Sequence, residues 1–168
     1  MSQHRRNSTR QTPTGTSESF FSLELTVKRL TGVKKGIIPA VGPRYYFVAN
    51  FAGDPKPIVG NPVVAKGDTV SWNKTISSLT ESQQPSILKI GVHKTQMIGP
   101  DIFLGGFDGN LAEQPEFLAM KEGDGMHVGL KMKNEPSLML EFSVTKRRDT
   151  LFTLPREGTN DLMATSRR

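Results

Sequence analysis

The stretch SILKIGVHKTQMIGPDIFLGGFDGNL, from Ser86 to Leu111, decides how the chain is interpreted. Apolar residues alternate with polar ones through Leu88, Ile90 and Val92, which is the period-two pattern of a half-buried strand. A polar, glycine-containing segment follows, and a second apolar run begins at Ile102. The stretch therefore predicts two strands joined by a loop, and a module of this kind would hold its chemistry in that loop.

Similar strand patterns recur on both sides of this stretch. In FFSLELTVKR, the side chains of Phe21, Leu23, Leu25 and Val27 share one face, and polar side chains share the other. Another pattern is interrupted by a Gly-Asn-Pro sequence and predicts a short or bent strand at a sheet edge. The eight predicted strands cover residues 20–29, 44–51, 58–64, 69–76, 87–92, 102–107, 126–132 and 138–144.

Eight short strands separated by Gly, Pro and Asn predict an all-β fold, an antiparallel Greek-key β-sandwich. Its core is expected to include Trp72 and Phe47. Residues 111–122 are predicted to form a loop with a short helix, in which Pro115 lies in the first turn. The glycine run at residues 104–109 lacks the Lys-Ser/Thr and the helix of a phosphate-binding loop, so it predicts a bent or bulged strand.

The positive charge of the chain is concentrated in its two tails. The protein has 168 residues, a net charge of +6 and a pI near 9.7, which favours an acidic partner such as phospholipid or nucleic acid. Residues 1–19 carry +2 and residues 146–168 carry +3, so the segment between them carries only +1. We expect a disordered basic N-terminal tail (1–19), a sandwich domain (20–145) and a basic, largely flexible C-terminal tail (146–168).

Composition excludes several classes of site. The chain has no Cys, so it has no disulfide, thiolate metal site or Cys nucleophile. It shows neither a signal peptide nor an apolar run of about 18 residues, and is expected to be cytoplasmic. His4, His93 and His127 are far apart in sequence, without an acidic motif beside them. No enzymatic activity, metal centre or cofactor is therefore predicted. Two Arg-Arg-x-Ser/Thr patterns make Ser8 and Thr150 candidate phosphorylation sites.

In their order and spacing, several motifs resemble those of a C2 domain, an eight-stranded sandwich that binds phospholipids or proteins. LELTVKRLTGV resembles the first strand of that family, PRYYFVANF its Pro-Tyr-x-x-Val strand, and TVSWNKTI its segment with a Trp-Asn pair. SILKIGVHKT and DIFLGGFDGNL resemble the strands around the third binding loop, and MHVGLKMKNEPSLMLEFSV resembles the closing hairpin. The resemblance covers about residues 20–145 and implies a non-enzymatic binding module.

Calcium-binding members of this family hold the ion with about five Asp carboxylates from two loops, because a hard cation needs many oxygen ligands. The first such loop, from Leu30 to Arg44, contains no Asp or Glu. The third, from His93 to Asp101, has only Asp101 at a matching position, and His93 stands where the family has an Asp. No calcium site is therefore predicted. Asp101 is expected to be a turn residue or the partner of a nearby Lys.

The same two loops are basic and apolar. The pairs Ile37-Ile38 and Met97-Ile98 would project at one end of the sandwich beside lysines, as in a tip that inserts into an anionic membrane surface. Two alternatives remain: the apolar residues pack on each other and cap the core, or they contact a protein partner. The predicted membrane or partner contacts are Lys34, Lys35, Ile37, Ile38, Arg44, Lys94, Met97 and Ile98.

The expected partner is therefore an anionic phospholipid membrane or a protein, reached without calcium, and no small-molecule substrate is expected. The alternative is a nucleic-acid-binding or capsid-like sandwich that uses its basic tails. The N-terminal tail offers only Arg5, Arg6 and Arg10, which is few for neutralising a phosphate backbone. The membrane- or protein-binding module is consequently the preferred hypothesis.

Overall fold

Two antiparallel β-sheets make up the part of the chain that the structure describes. It is a computed structural model, and it describes residues 21–34, 42–78 and 87–148, leaving out the side chains of Phe21 and Arg148. The strands, numbered in chain order, are β1 (Phe21–Thr31), β2 (Arg44–Phe51), β3 (Ile58–Val59), β4 (Val63–Val64), β5 (Thr69–Ser77), β6 (Ile87–Lys94), β7 (Ile102–Asn110), β8 (Gly125–Lys131) and β9 (Met139–Arg148).

One sheet has the strand order β5-β1-β9-β8, and the other has the order β3-β2-β6-β7, with β4 also paired to β2. The prediction of an all-β antiparallel sandwich is confirmed. The strand count differs because the Gly-Asn-Pro segment divides the predicted third strand into β3 and β4, both paired antiparallel to β2. β9 also continues to Arg148, past the predicted domain boundary. The N-terminal tail, residues 149–168, Ser8 and Thr150 lie outside the described residues.

Alternation along each strand separates the core from the outer faces. Leu23, Leu25 and Val27 of β1 are buried, as their spacing predicts. Phe47 of β2 is fully buried. Trp72 is only partly buried and packs against the core, with its ring edge-on to Phe47 at a centroid distance of 5.4 Å. The predicted core is therefore present, but its tryptophan lies at the margin.

Two glycine positions explain irregular strands. The N–H of Gly60 donates to the Phe47 carbonyl at 2.8 Å, and a Cβ at Gly60 would lie 2.3 Å from the Phe47 ring. A side chain there would displace the ring, so the close approach requires glycine. In β7, Gly105 has a φ of 142°, and the pairing with β6 shifts register between Val92 and His93. The prediction of a bulged strand in the glycine run is confirmed.

A short helical segment connects β7 to β8. A 3₁₀ helix, Leu111–Glu113, begins where the Asn110 side chain accepts a hydrogen bond from the Ala112 N–H at 3.0 Å. It leads into α1, Pro115–Ala119, where Pro115 lies in the first turn, as predicted. Among the described residues, no helix is long and apolar enough to cross a membrane.

Replacing Phe47 with Ala should lower the free energy of unfolding by about 3–5 kcal/mol, because it leaves a cavity between the sheets. The matched change Phe103→Ala, on a ring that is 49% exposed, should cost about 1 kcal/mol, because half of its surface is already in water. Urea denaturation measures both. Equal losses in the two variants would contradict this placement of the core.

Candidate functional site

Four connections between strands meet at one end of the sandwich, which we call the tip. Thr31 at the end of β1 pairs with Thr69 at the start of β5, and the N–H of Val33 donates to the Asp68 carbonyl at 3.0 Å. Arg44 at the start of β2 pairs with the end of β4. The end of β8 and the start of β9 also lie here, because Met139 pairs with both Thr31 and Lys131. The sequence predicted the β1–β2 and β6–β7 connections at this end, but not the turns before β5 and β9. The connections are β1–β2 (residues 32–43), β4–β5 (65–68), β6–β7 (95–101) and β8–β9 (132–138).

Hydrogen bonds anchor the β6–β7 loop to the start of β2. The N–H of Thr95 donates to the Arg44 carbonyl at 2.8 Å, and the N–H of Arg44 donates to the Thr95 hydroxyl at 3.0 Å. The next residue of β2, Tyr45, pairs with Lys94 of β6. Arg44 and Lys94 therefore extend from adjacent strand ends in a fixed register, so strand pairing positions two of the predicted contact residues.

An open cleft of about 710 Å³ lies at this junction. Above it, Met97 is 91% exposed and Ile98 is 89% exposed, so these two side chains do not cap the core. Neither Arg44 nor Lys94 takes part in an ion pair with any other described residue. The tip thus presents an apolar pair beside two cations. The cleft is lined by Gly42, Pro43, Arg44, Val64, Lys94, Thr95, Gln96, Met97 and Ile98.

The remaining predicted contact residues belong to the β1–β2 connection. Lys34 is exposed just beyond Val33, which the Asp68 carbonyl holds. Lys35, Ile37 and Ile38 lie outside the described residues. The expected approach of Ile37-Ile38 to Met97-Ile98 therefore stays a prediction.

Asp101, at the end of the β6–β7 loop, accepts a hydrogen bond from the Tyr46 hydroxyl at 2.8 Å. Of the two expectations, a turn residue or the partner of a lysine, the second is wrong, because the partner is a tyrosine of β2. This hydrogen bond raises the pKa of the Tyr46 hydroxyl above its usual value, and burial and the charge of Asp101 act in the same direction. The bond fixes the second end of the loop, as the Arg44–Thr95 pairing fixes the first.

An aromatic cluster below the loop was missed by sequence reasoning. The rings of Tyr46 and His93 stack with a centroid distance of 5.1 Å and an interplanar angle of 10°. The ring centroid of Phe103 lies 5.3 Å from that of His93. These three residues occupy adjacent register positions on β2, β6 and β7. The sequence did contain one indication of this cluster. His93 follows the buried Val92, so alternation along β6 places the His93 side chain on the outer face.

The strand order, the two sheets and the connections that meet at the tip define the C2 fold. The structure superposes on a C2 domain, designated A, of plant extended synaptotagmin 1 with a TM-score of 0.60 at 15% identity, covering 79% of this chain and 98% of that one. It also resembles human GIVD cytosolic phospholipase A2 (TM-score 0.58, 10% identity, 79% of this chain), of which it spans only 18%.

A third similar structure is that of the paired C2 domains, A and B, of extended synaptotagmin 2 with calcium bound. Its TM-score is 0.55 at 13% identity, and the match covers 76% of this chain and 46% of that one. No protein-family model matches the sequence, and a search of curated proteins finds no match. At these identities the likeness shows the fold.

The carboxylates at the tip do not fit a calcium ion. Asp101 is joined there by Asp68 and by Glu135 of the β8–β9 turn. Asp68 Oδ1 accepts a hydrogen bond from the Thr69 hydroxyl at 3.0 Å, and Asp101 Oδ2 accepts one from Tyr46. Calcium takes six to eight oxygen ligands. Within residues 21–34, 42–78 and 87–148, no three His, Cys, Asp or Glu side chains are grouped so as to hold a metal ion.

Replacing Asp101 with Asn should lower the pKa of Tyr46 towards the ordinary tyrosine value of about 10. Because the folded-state pKa is raised, the stability from this bond is present below the unfolded value and is lost as pH rises through the folded value. A Tyr45→Phe background leaves one of the two tyrosines, so absorbance of tyrosinate follows Tyr46 alone. Asp68→Asn is the control, and an equal effect there would contradict the assignment.

Proposed function

We propose that this C2-fold domain is a non-enzymatic binding module whose tip docks on anionic membrane surfaces without calcium. The observation that carries the proposal is the exposed Met97-Ile98 pair beside a cleft lined by Arg44 and Lys94. The proposal implies a cytoplasmic protein that associates peripherally with membranes. A protein partner that covers the same tip is the competing outcome.

The apolar part of the tip supports insertion at a membrane interface. Met97 and Ile98 are almost fully in water, and each would gain about 1.5–3 kcal/mol from complete burial. The loop that carries them is fixed at both ends, through Thr95 and Asp101. Little conformational entropy is then lost on docking, which favours binding by a small apolar contact.

The cationic part supports a negatively charged surface. Arg44, Lys94 and Lys34 lie at the same end of the sandwich, and each cation near an anionic bilayer contributes about 1 kcal/mol. The region from Lys28 to Gly53 contains five basic residues and no acidic residue, so residues 35–41 add no compensating carboxylate. A neutral apolar partner would leave these cations without a partner.

The ligand set supports calcium independence. The carboxylates of Asp68 and Asp101 already accept hydrogen bonds, and the basic side chains occupy the end where a calcium-dependent module would need acidic ones. We therefore propose that basic side chains of the tip contact the headgroup phosphates directly, without a calcium ion between the protein and the lipid.

Sedimentation with vesicles of phosphatidylserine and phosphatidylcholine tests this function. The Met97→Ser/Ile98→Ser double variant should lose about tenfold or more in affinity, because a loss of about 1.4 kcal/mol corresponds to a factor of ten. Arg44→Gln/Lys94→Gln should bind more weakly and show less dependence on salt. Binding should be equal in calcium and in a chelator.

Matched controls lie at the opposite end of the sandwich. Leu118→Ser removes a side chain that is 65% exposed on α1, and Lys121→Gln removes an exposed cation just after that helix. Neither should change vesicle binding. If the unmodified protein binds no anionic vesicles, the membrane proposal fails and a protein partner becomes the explanation for the tip. If binding requires calcium, the proposed calcium independence is wrong.

A further inference from the structure

A row of hydroxyl side chains crosses the outer face of the sheet β5-β1-β9-β8, away from the tip cleft. Thr75 pairs with Thr26, Thr26 with Ser143, and Ser143 with His127. Directly paired residues of antiparallel strands share one face. The Thr26 and Thr75 hydroxyl oxygens are 3.0 Å apart, and Ser143 is buried under its neighbours. Three hydroxyls and one imidazole thus span all four strands.

A β-bulge in β1 places a lysine over this row. Val27 pairs with Phe142 and Arg29 pairs with Glu141, which leaves Lys28 as the extra residue between them. Val27 is buried and Arg29 is exposed. A bulge re-aims a side chain in this way. The Nζ of Lys28 reaches the Nδ1 of His127 at 3.0 Å, across the strand that carries Ser143.

The carboxylates on both sides of the row are already paired. Arg29 Nε lies 2.8 Å from Glu141 Oε2, and Arg147 Nε lies 2.7 Å from Glu24 Oε2. None of the ion pairs found in the described part of the chain includes Lys28. Lys28 and His127 therefore contact each other rather than a carboxylate. They lie beside hydroxyl groups that can donate hydrogen bonds. A cation and several hydrogen-bond donors together could bind an oxyanion.

We propose that Lys28 and His127 bind a phosphate group, of a small molecule or of a lipid headgroup, and that His127 takes up a proton when it binds. Lysine has donors only, so in the present contact Nδ1 of His127 accepts and is unprotonated. A protonated imidazole would face the ammonium group as a second cation. A dianion between them removes that repulsion, which couples binding to protonation.

The other charged side chains around His127 set the background for this coupling. Histidine ordinarily changes charge between about pH 5 and pH 8. Of the neighbouring carboxylates, Glu24 and Glu141 form ion pairs with arginines. Glu116 on α1 lines the same cleft as His127. The charged residues of the surrounding elements are Glu24, Lys28 and Arg29 on β1, Lys74 on β5, Lys131 on β8, Glu141, Lys146 and Arg147 on β9, and Glu116 on α1.

Inorganic sulfate is the primary probe, because it has the shape of phosphate and stays dianionic from pH 6 to pH 8. Titration followed by backbone amide shifts should move Thr26, Ser143 and His127. The affinity should be about fivefold or more higher at pH 6 than at pH 8, the size of a typical coupling between sites. His127→Gln should remove the pH dependence, and Lys28→Gln should weaken binding at both pH values.

Lys131→Gln is the matched control, because it removes the same charge from the same strand as His127 without touching the row. It should leave binding and its pH dependence unchanged. Equal loss of sulfate affinity in Lys131→Gln and Lys28→Gln would mean that the anion is attracted by the overall positive charge, and would overturn the proposed site. Affinity that is the same at pH 6 and pH 8 in the unmodified protein would overturn the coupling.

The two sources of phosphate are distinguished in the Met97→Ser/Ile98→Ser background, which lacks the proposed tip contact. Binding to vesicles that contain phosphatidic acid, lost in Lys28→Gln, would identify a lipid headgroup. Binding of inorganic phosphate without vesicle binding would identify a small molecule. Binding of neither sulfate nor phosphate overturns the proposal and leaves the tip proposal untouched, because the two sites share no residue.

Discussion

The pairing of β2 with β6 is the contact on which the tip depends. Its register runs from Tyr45 opposite Lys94 to Phe51 opposite Leu88, and because side chains alternate, a slip of one residue would exchange the core and the outer face. The present register puts Phe47 opposite Val92 in the core. The same register brings Arg44 beside Thr95 at the tip. Burial in the core thus fixes the position of side chains that are themselves in water.

Fixing both ends of the β6–β7 loop has a second consequence. One end is held by Arg44 and Thr95, and the other by the bond from Tyr46 to Asp101, so the exposed apolar pair between them stands on a braced loop. Arg44 and Tyr46 both belong to β2, so the same strand holds the loop at its two ends. The bracing of the loop and the positions of Arg44 and Lys94 therefore follow from the same pairing of β2 with β6.

Much of the fold follows from period-two patterns in the sequence. Features that depend on how two strands pair could not be predicted from such patterns. The buried face of β1 is readable because Leu23, Leu25 and Val27 alternate. The bulge at Lys28 is not readable, because an extra residue appears only when two strands are paired. The bond between Tyr46 and Asp101 joins residues 55 positions apart, so the sequence shows only one of its members at the loop. For Met97 and Ile98, composition permits either a cap or an exposed pair, and only the fold decides between them.

Net charge is a weak guide to the binding surfaces of this domain. The segment between the tails carries a net charge of only +1. A surface can still be locally positive where the nearby carboxylates are already paired with other cations. On the β5-β1-β9-β8 sheet, Glu24 and Glu141 are both bonded to arginines, and Lys28 contacts an imidazole instead. Exposed ion pairs of this kind add little stability. Their larger effect is to leave fewer carboxylates for the other cations, so the pairing pattern, rather than the sum of charges, determines the local charge of each surface.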